Sequence, residues 1–283
     1  MNIPVRYMSG AGNLFTVIDG RDLEVTIAQW QNLTPTLCNG TIQTEGLIVL
    51  NTNETLTKNN KTILNFTSEF FNPDGSHGAM CGNGGRCAVR FALNTLNDKI
   101  LSNSISAISF TMAGTTYKAE ISGAEIRVYF PMPLEFRENL EISDSIITVH
   151  GDFVDVGSQH FVVNYSQLQS ATPFREFNIE TFAPHFRFHT IFDPLGANIN
   201  LYEINENKIE LRTYERGVEA ETGACGTGAI STAISAITHK LVKSPVTIIP
   251  PSGIPLTVGY EPEHSVVWLQ GAAEFIGESV FSV

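Results

Sequence analysis

Two stretches of the chain combine residue types that could do chemistry: Met80-Cys81-Gly82-Asn83-Gly84-Gly85-Arg86-Cys87 and Ala224-Cys225-Gly226-Thr227-Gly228-Ala229. Each reads cysteine, glycine, small polar residue, glycine, and each runs into a small-residue segment of helical character, residues 88–93 in one case and 230–237 in the other. A cysteine so placed stands where a helix begins, beside backbone N–H groups that stabilise a thiolate and bind anions. Two of them in one chain point to a pair that works together.

The elements that must hold these cysteines follow from the flanking patterns. The turn former Asn72-Pro73-Asp74-Gly75-Ser76 leads into the first motif, and ahead of it residues 46–50 and 62–71 read as strands. Residues 5–8 and 14–18 read as short strands on either side of Ser9-Gly10-Ala11-Gly12-Asn13, and residues 23–32 as a helix that Thr34-Pro35 ends. From 108 to 130, short strands alternate with turns at Ala113-Gly114 and Ser122-Gly123-Ala124. Residues 139–145 read as a connecting loop before a strand at 146–149, and 173–188 are too mixed to assign. Strands at 197–202 and 209–214 lead through Glu215-Arg216-Gly217 to the second motif, and strands at 246–249, 256–260, 265–269 and 272–276 close the chain.

The spacing repeats. Cys81 and Cys225 lie 144 residues apart, and nine residues before each comes a polar residue at a strand end, Asn72 in one half and Arg216 in the other. Asn13 stands 68 residues before Cys81, and His160, in Gly157-Ser158-Gln159-His160-Phe161, stands 65 before Cys225. A duplicated unit explains this pattern. The expected architecture is two similar α/β domains, each with a central helix against a strand layer and a cysteine at that helix's N-terminus. The boundaries expected are residues 1–123, with a closing strand within 272–283 returning to them, and residues 124–271.

A net charge of −12 with only 17 Lys and Arg, scattered through the chain, argues against nucleic acid as a partner. No apolar run approaches the roughly 18 to 20 residues of a membrane span, and residues 1–10 have no signal-like pattern, so no membrane partner and a cytoplasmic protein are expected. The four cysteines, Cys38, Cys81, Cys87 and Cys225, lack the paired spacing of a zinc site and are too few for a disulfide framework, so free thiols and no metal are expected.

The two cysteine motifs, with Asn72 to Ser76 before the first and Glu215-Arg216-Gly217 and Glu221-Thr222-Gly223 before the second, resemble those of diaminopimelate epimerases. The resemblance runs from Met8-Ser9-Gly10-Ala11-Gly12-Asn13 to the closing strands. It implies an α/β fold of two pseudo-symmetric domains, each a curved, mainly antiparallel sheet around a central helix, with the active site in the cleft between them. It also implies a homodimer that uses no cofactor and inverts LL-diaminopimelate to meso-diaminopimelate in lysine and cell-wall precursor biosynthesis.

The chemistry is coherent with these residues. Inverting an α-carbon requires a proton to leave one face and another to arrive at the opposite face. Cysteine suits both roles, because its pKa of about 8.5 falls to roughly 3.5–7.5 at a helix N-terminus or near a cation. Charge developing on the substrate carboxylate then needs fixed donors, and the N–H groups of Gly82, Asn83, Gly226 and Thr227 are suitably placed in sequence. The resemblance further implies that Asn13, Asn72, Asn198 and Arg216 hold the distal amino-carboxylate group and that His160 and Glu215 set cysteine protonation. Which of the two serves which cysteine is open.

Some positions depart from the family pattern. Gly157-Ser158-Gln159-His160 stands where the family usually has Gly-Asn-Pro-His, Ser9 replaces a histidine, Leu14 an aspartate, and Glu45 an aspartate. Substrate choice is therefore less fixed than the proton chemistry, and a related racemase of another amino acid or a non-catalytic amino-acid-binding protein remain open. Cys38 and Cys87 read as core residues, and His77, His185 and His189 as structural histidines.

Overall fold

The computed structural model describes residues 2–58, 61–78, 80–96, 105–144 and 147–282. Its contacts divide the chain into two compact units, Met1–Tyr129 with Gln270–Val283, and Phe130–Leu269.

The first unit opens with β1 (Asn2–Gly10) and β2 (Asn13–Asp19), an antiparallel pair. Helix α1 (Ile27–Cys38) carries the chain across to β3 (Leu47–Lys58), which pairs parallel with β2, and β3 pairs antiparallel with β4 (Lys61–Phe71). Helix α2 (Gly82–Asn94) makes the second crossover to β5 (Ile105–Met112), parallel to β4, and β6 (Thr115–Ser122) and β7 (Glu125–Phe130) follow as antiparallel neighbours. Both parallel joins need a long connection, which is why a helix stands at each.

The second unit begins with β8 (Glu135–Ser143), β9 (Thr148–Asp155) and β10 (Gln159–Asn164), each antiparallel to the next. Short helical turns, including α3 (Ile179–Phe182) and α4 (Pro184–Arg187), lead to β11 (Asn198–Asn205), parallel to β10. Next come β12 (Lys208–Glu215), antiparallel to β11, the two-residue β13 (Ala220–Glu221), and α5 (Gly226–Thr238). After α5, β14 (Val246–Ile249) pairs parallel with β12, and β15 (Leu256–Glu261) pairs antiparallel with β14. The chain ends through β16 (Val266–Ala272) and β17 (Glu274–Ser282), the latter antiparallel to β1.

The duplication is visible in the order of pairings. From β1 to β6 they run antiparallel, parallel, antiparallel, parallel, antiparallel, and β9, β10, β11, β12, β14 and β15 run the same way. In both units a helix enters at the second parallel join. Helix α2 lies against β1 to β5, and α5 against β9 to β12, β14 and β15. Both helices are buried nearly all round, as a central helix must be, and small residues allow strands to approach. At the far end of α5, Asp152 on β9 accepts hydrogen bonds from Ser235 Oγ at 2.6 Å and His239 Nε2 at 2.8 Å, tying the helix to the sheet.

Three local expectations needed correction. Helix α1 starts at Ile27 because Thr26 forms a capping box: the Gln29 amide donates to Thr26 Oγ1 at 3.3 Å, and the Thr26 amide donates to Gln29 Oε1 at 2.8 Å. Pro35 lies inside this helix rather than ending it. Proline cannot donate to the carbonyl four residues earlier, that of Gln31. The turn at Gly75, at a φ of +85°, comes against this carbonyl so closely that a Cβ would collide with it. Residues 139–143 belong to β8 rather than to a loop, the register shifting between Arg137 and Leu140. There Asn139, at a φ of +53°, donates its amide to Asp152 Oδ1 at 2.9 Å. The strand expected at 146–149 begins at Thr148, residues 145 and 146 lying outside the described residues.

Candidate functional site

Cys81 is the N-cap of α2, with extended backbone angles of −102° and 114°, and its Sγ accepts the Gly84 amide at 3.3 Å. The helical ladder begins with the Gly85 amide on the Cys81 carbonyl at 2.7 Å, so the amides of Gly82 and Asn83 precede it. Asn83 is buried and donates from Nδ2 to Asn13 Oδ1 at 2.6 Å, and Asn13 in turn donates to the carboxyl of Glu45. Burial pushes the Glu45 carboxyl above its ordinary range, against the opposing effect of that bond. β1 closes tightly over this turn: a Cβ at Gly10 would stand 2.7 Å from the Asn83 carbonyl oxygen. Asn72 closes the turn ahead of the motif, its amide donating to the Ser76 carbonyl at 2.9 Å and its Nδ2 to Ser76 Oγ at 2.8 Å.

Arg86, one turn into α2, is fully buried. Its guanidinium donates to Asn83 Oδ1 at 3.0 Å, to the Gly82 carbonyl at 3.3 Å and to the Ala272 carbonyl at 3.5 Å. Burial lowers its pKa to about 10, which leaves it a cation at neutral pH.

Cys225 is the N-cap of α5 in the same conformation, at −114° and 112°, with the Gly228 amide on Sγ at 3.4 Å. Beside it the polar contacts form a chain. Cys225 Sγ is 3.5 Å from Thr227 Oγ1, Thr227 Oγ1 is 3.0 Å from His160 Nε2, and His160 Nδ1 is 3.2 Å from Asn200 Oδ1. The direction of this chain follows from its far end. Asn200 Nδ2 faces the Gly228 carbonyl at 3.0 Å, which can only accept, so Asn200 presents its oxygen to His160. Nδ1 therefore carries the imidazole proton, Nε2 accepts from the Thr227 hydroxyl, and the hydroxyl oxygen is left to accept from the Cys225 thiol. Burial lowers the His160 pKa to about 4, with the Asn200 bond opposing and the Arg216 charge adding to the drop. The imidazole is neutral at pH 7.

Arg216 and Asn198 meet beside β10. The Arg216 amide donates to Asn198 Oδ1 at 2.8 Å, and Asn198 Nδ2 donates to Ser158 Oγ at 3.0 Å and to the Gln159 carbonyl at 2.8 Å. The Arg216 guanidinium reaches Gln159 Oε1 at 3.5 Å, and among the described residues it makes no ion pair with a carboxylate. Burial moves its pKa down from the ordinary value. Glu215 accepts from Thr222 Oγ1 at 2.8 Å.

Thus Asn13, Cys81, Gly82 and Asn83 share one cluster, His160, Cys225, Gly226 and Thr227 a second, and Asn198 and Arg216 lie together, whereas Asn72 is engaged in its own turn. Arg86, Asn200 and Thr222 were not singled out by sequence reasoning. Asn200 lies two residues from Asn198, hence on the same face of β11. Arg86 is a charged residue amid buried small ones. Of the other thiols, burial raises the pKa of Cys38 and pushes that of Cys87 up to about 12. Among the described residues no helix is long and apolar enough to cross a membrane.

Solved structures place the fold. A phenazine biosynthesis protein of the PhzF family from Enterococcus faecalis superposes with a TM-score of 0.67 at 14% identity, covering 100% of both chains. A hydroxyproline epimerase from Agrobacterium vitis gives a TM-score of 0.67 at 12% identity, covering 99% of this chain and 92% of its own. The protein therefore has the mixed α/β, mostly antiparallel fold that these proteins share, carrying a cysteine at each central helix start. The sequence profile described as diaminopimelate epimerase matches residues 5–118 and 153–276. A diaminopimelate epimerase from Aquifex aeolicus is 35% identical over 288 aligned positions, covering 97% of this chain and 96% of its own. The chain belongs to the diaminopimelate epimerase family of isomerases.

Proposed function

We propose that the protein inverts LL-diaminopimelate to meso-diaminopimelate by two-thiol proton transfer. One cysteine enters as thiolate and takes the α-proton, becoming a thiol. The electron pair of the broken C–H bond delocalises into the α-carboxylate. The other cysteine, a thiol, gives its proton to the opposite face and leaves as thiolate, so that exchange with solvent must restore the starting state. In this reading the amides of Gly82, Asn83, Gly226 and Thr227 stabilise the charge on the carboxylate, which helix N-termini favour. Arg216, with Asn13, Asn72 and Asn198, holds the distal amino-carboxylate, Arg216 through a bidentate contact.

The observation that carries the proposal is the pair of cysteine N-caps, each with an amide on its sulfur, at corresponding places in two repeats. His160 acts on Cys225 through Thr227, the only route to a cysteine among its described hydrogen bonds. Glu215 acts by holding Thr222, three residues before Cys225. Family membership also supports a cytoplasmic homodimer, whose dimeric state sedimentation velocity would test.

A second reading has one observation in its favour: Ser158 and Gln159 occupy the amide of Asn198, so a distal group would have to displace them. Both readings are tested by α-hydrogen exchange with D2O across a panel of amino acids including LL- and meso-diaminopimelate. Exchange with diaminopimelate, abolished by Cys81→Ser and by Cys225→Ser, is expected. Exchange confined to a monocarboxylic amino acid would move the substrate assignment, and undiminished exchange in either mutant would sink the two-thiol mechanism.

A further inference from the structure

Arg86 is a fully buried cation whose hydrogen-bond acceptors, the carbonyls of Gly82 and Ala272 and the amide oxygen of Asn83, are all neutral. Among the described residues no carboxylate lies within ion-pair distance of it. Burying a charge costs several kcal/mol unless an opposite charge is close. The ionisable groups whose charge acts on it are Cys87, Cys81 and Glu125. Glu125, which accepts from Gln270 Nε2 at 2.6 Å, acts on it from beyond ion-pair distance, and Glu45 is linked to it through Asn13 and Asn83. Cys87, its neighbour on α2, is sealed in the core as a thiol. Cys81, by contrast, is partly exposed, with an amide already on its sulfur and its following residue's carbonyl in contact with the guanidinium.

The repeat supplies the control. The residue five positions after Cys81 is Arg86, and the residue five positions after Cys225 is Ile230, fully buried and apolar. Both cysteines cap their helices in the same extended conformation, and at this position only α2 carries a charged residue.

We propose that Arg86 is a positioning residue that holds Cys81 as the thiolate of the pair, its guanidinium being the fixed counter-charge behind the first turn of α2. The inference deepens the two-thiol reading and rests on it for its catalytic meaning, but its physical content is the ionisation of one sulfur. Cys81 then starts as the base, and the Cys225 thiol, its proton directed at Thr227, starts as the acid.

The test is the pH dependence of alkylation by iodoacetamide, with Cys81 and Cys225 followed separately by peptide mass mapping in the full chain. In the unaltered protein Cys81 should react with a midpoint at least about one pH unit below that of Cys225, given that an opposite charge nearby shifts an ionisation by about 1–3 units. Arg86→Gln should raise the Cys81 midpoint by about one unit or more and leave that of Cys225 in place, while Arg86→Lys, which keeps the charge, should shift it less. An unchanged Cys81 midpoint in folded Arg86→Gln, even with turnover lost, would mean a structural role only and would overturn the proposal. If Arg86→Gln does not fold, equal midpoints in the unaltered protein, or a lower one at Cys225, would overturn it as well. Shifted midpoints in a protein that exchanges no amino acid would support Arg86 and reject the catalytic reading, so the two failures are distinguishable.

Discussion

Helix α2 and helix α5 each begin on a cysteine whose sulfur accepts the amide three residues on, and they differ in what stands beside that first turn. At α2 the first turn holds a partly exposed thiol, a buried guanidinium and a hydrogen-bonded chain from Asn83 through Asn13 to the Glu45 carboxyl. At α5 the thiol is buried, and a run of neutral groups, Thr227, His160 and Asn200, ends on the carbonyl of Gly228. Duplication supplied the same backbone twice, and side chains then separated two chemically identical thiols. One environment suits a negative sulfur and the other a protonated one, which is the division of labour that two-sided proton transfer needs.

The comparison can be broken at either end. The largest effect is expected from Thr227→Val, which removes the hydroxyl between Cys225 and His160 but leaves the α2 side untouched. Turnover should fall about 10²–10⁴-fold, as for loss of an acid–base relay, with the alkylation midpoint of Cys81 unmoved. Thr227→Ser should recover most of it. A turnover unaffected by the valine would remove the relay from the account.

Next comes the acid limb of stability. His160 has a pKa of about 4 when folded, against an ordinary value near 6.5. As pH falls through 6.5 the unfolded chain takes up this proton and the folded one does not, so stability declines from about pH 6.5 to about 4 and levels off below. The difference is roughly 3 kcal/mol. Urea unfolding at pH 7, 5.5 and 4.5 should show a steeper decline in the unaltered protein than in His160→Gln. Parallel curves would mean that His160 is not held neutral.

A smaller effect, on the other side, is expected from Gly10→Ala. The added methyl meets the Asn83 carbonyl, and the strain should cost about 1–3 kcal/mol. Because the shift falls on the first turn of α2, alkylation of Cys81 should change and that of Cys225 should not. Equal changes at both would argue that the two helix starts do not behave as separate units.

Much of this organisation was legible in the sequence. The cysteine motifs marked both helix starts because an N-cap followed by glycines is a local pattern. Strand β14 was placed at its observed bounds, Val246–Ile249, because Pro245 and Pro250 frame an apolar run. Local signals misled where two of them competed. Pro35 was read as the end of a helix whose start is set by Thr26 and Gln29, a Thr-x-x-Gln pattern that could have been recognised. β8 was lost because its polar residues and the turn-like Asn139 hide a bulged strand. Arg86 and Asn200 escaped for other reasons. Asn200 depends on partners distant in sequence, His160 and Gly228, which no window of residues contains. The closer partners of Arg86, Gly82 and Asn83, are local, and what the sequence hides is its burial under the strands around α2.

The central claim, that two different thiols serve opposite faces of one carbon, is tested most directly by the initial rate of LL-diaminopimelate conversion in D2O. The meso product should carry deuterium at the inverted carbon from the first turnovers, while recovered LL substrate remains unlabelled, because the proton removed and the proton delivered belong to different groups. Product that retains the substrate's own hydrogen, or substrate that gains label as fast as product, would show a single group serving both faces and would contradict it.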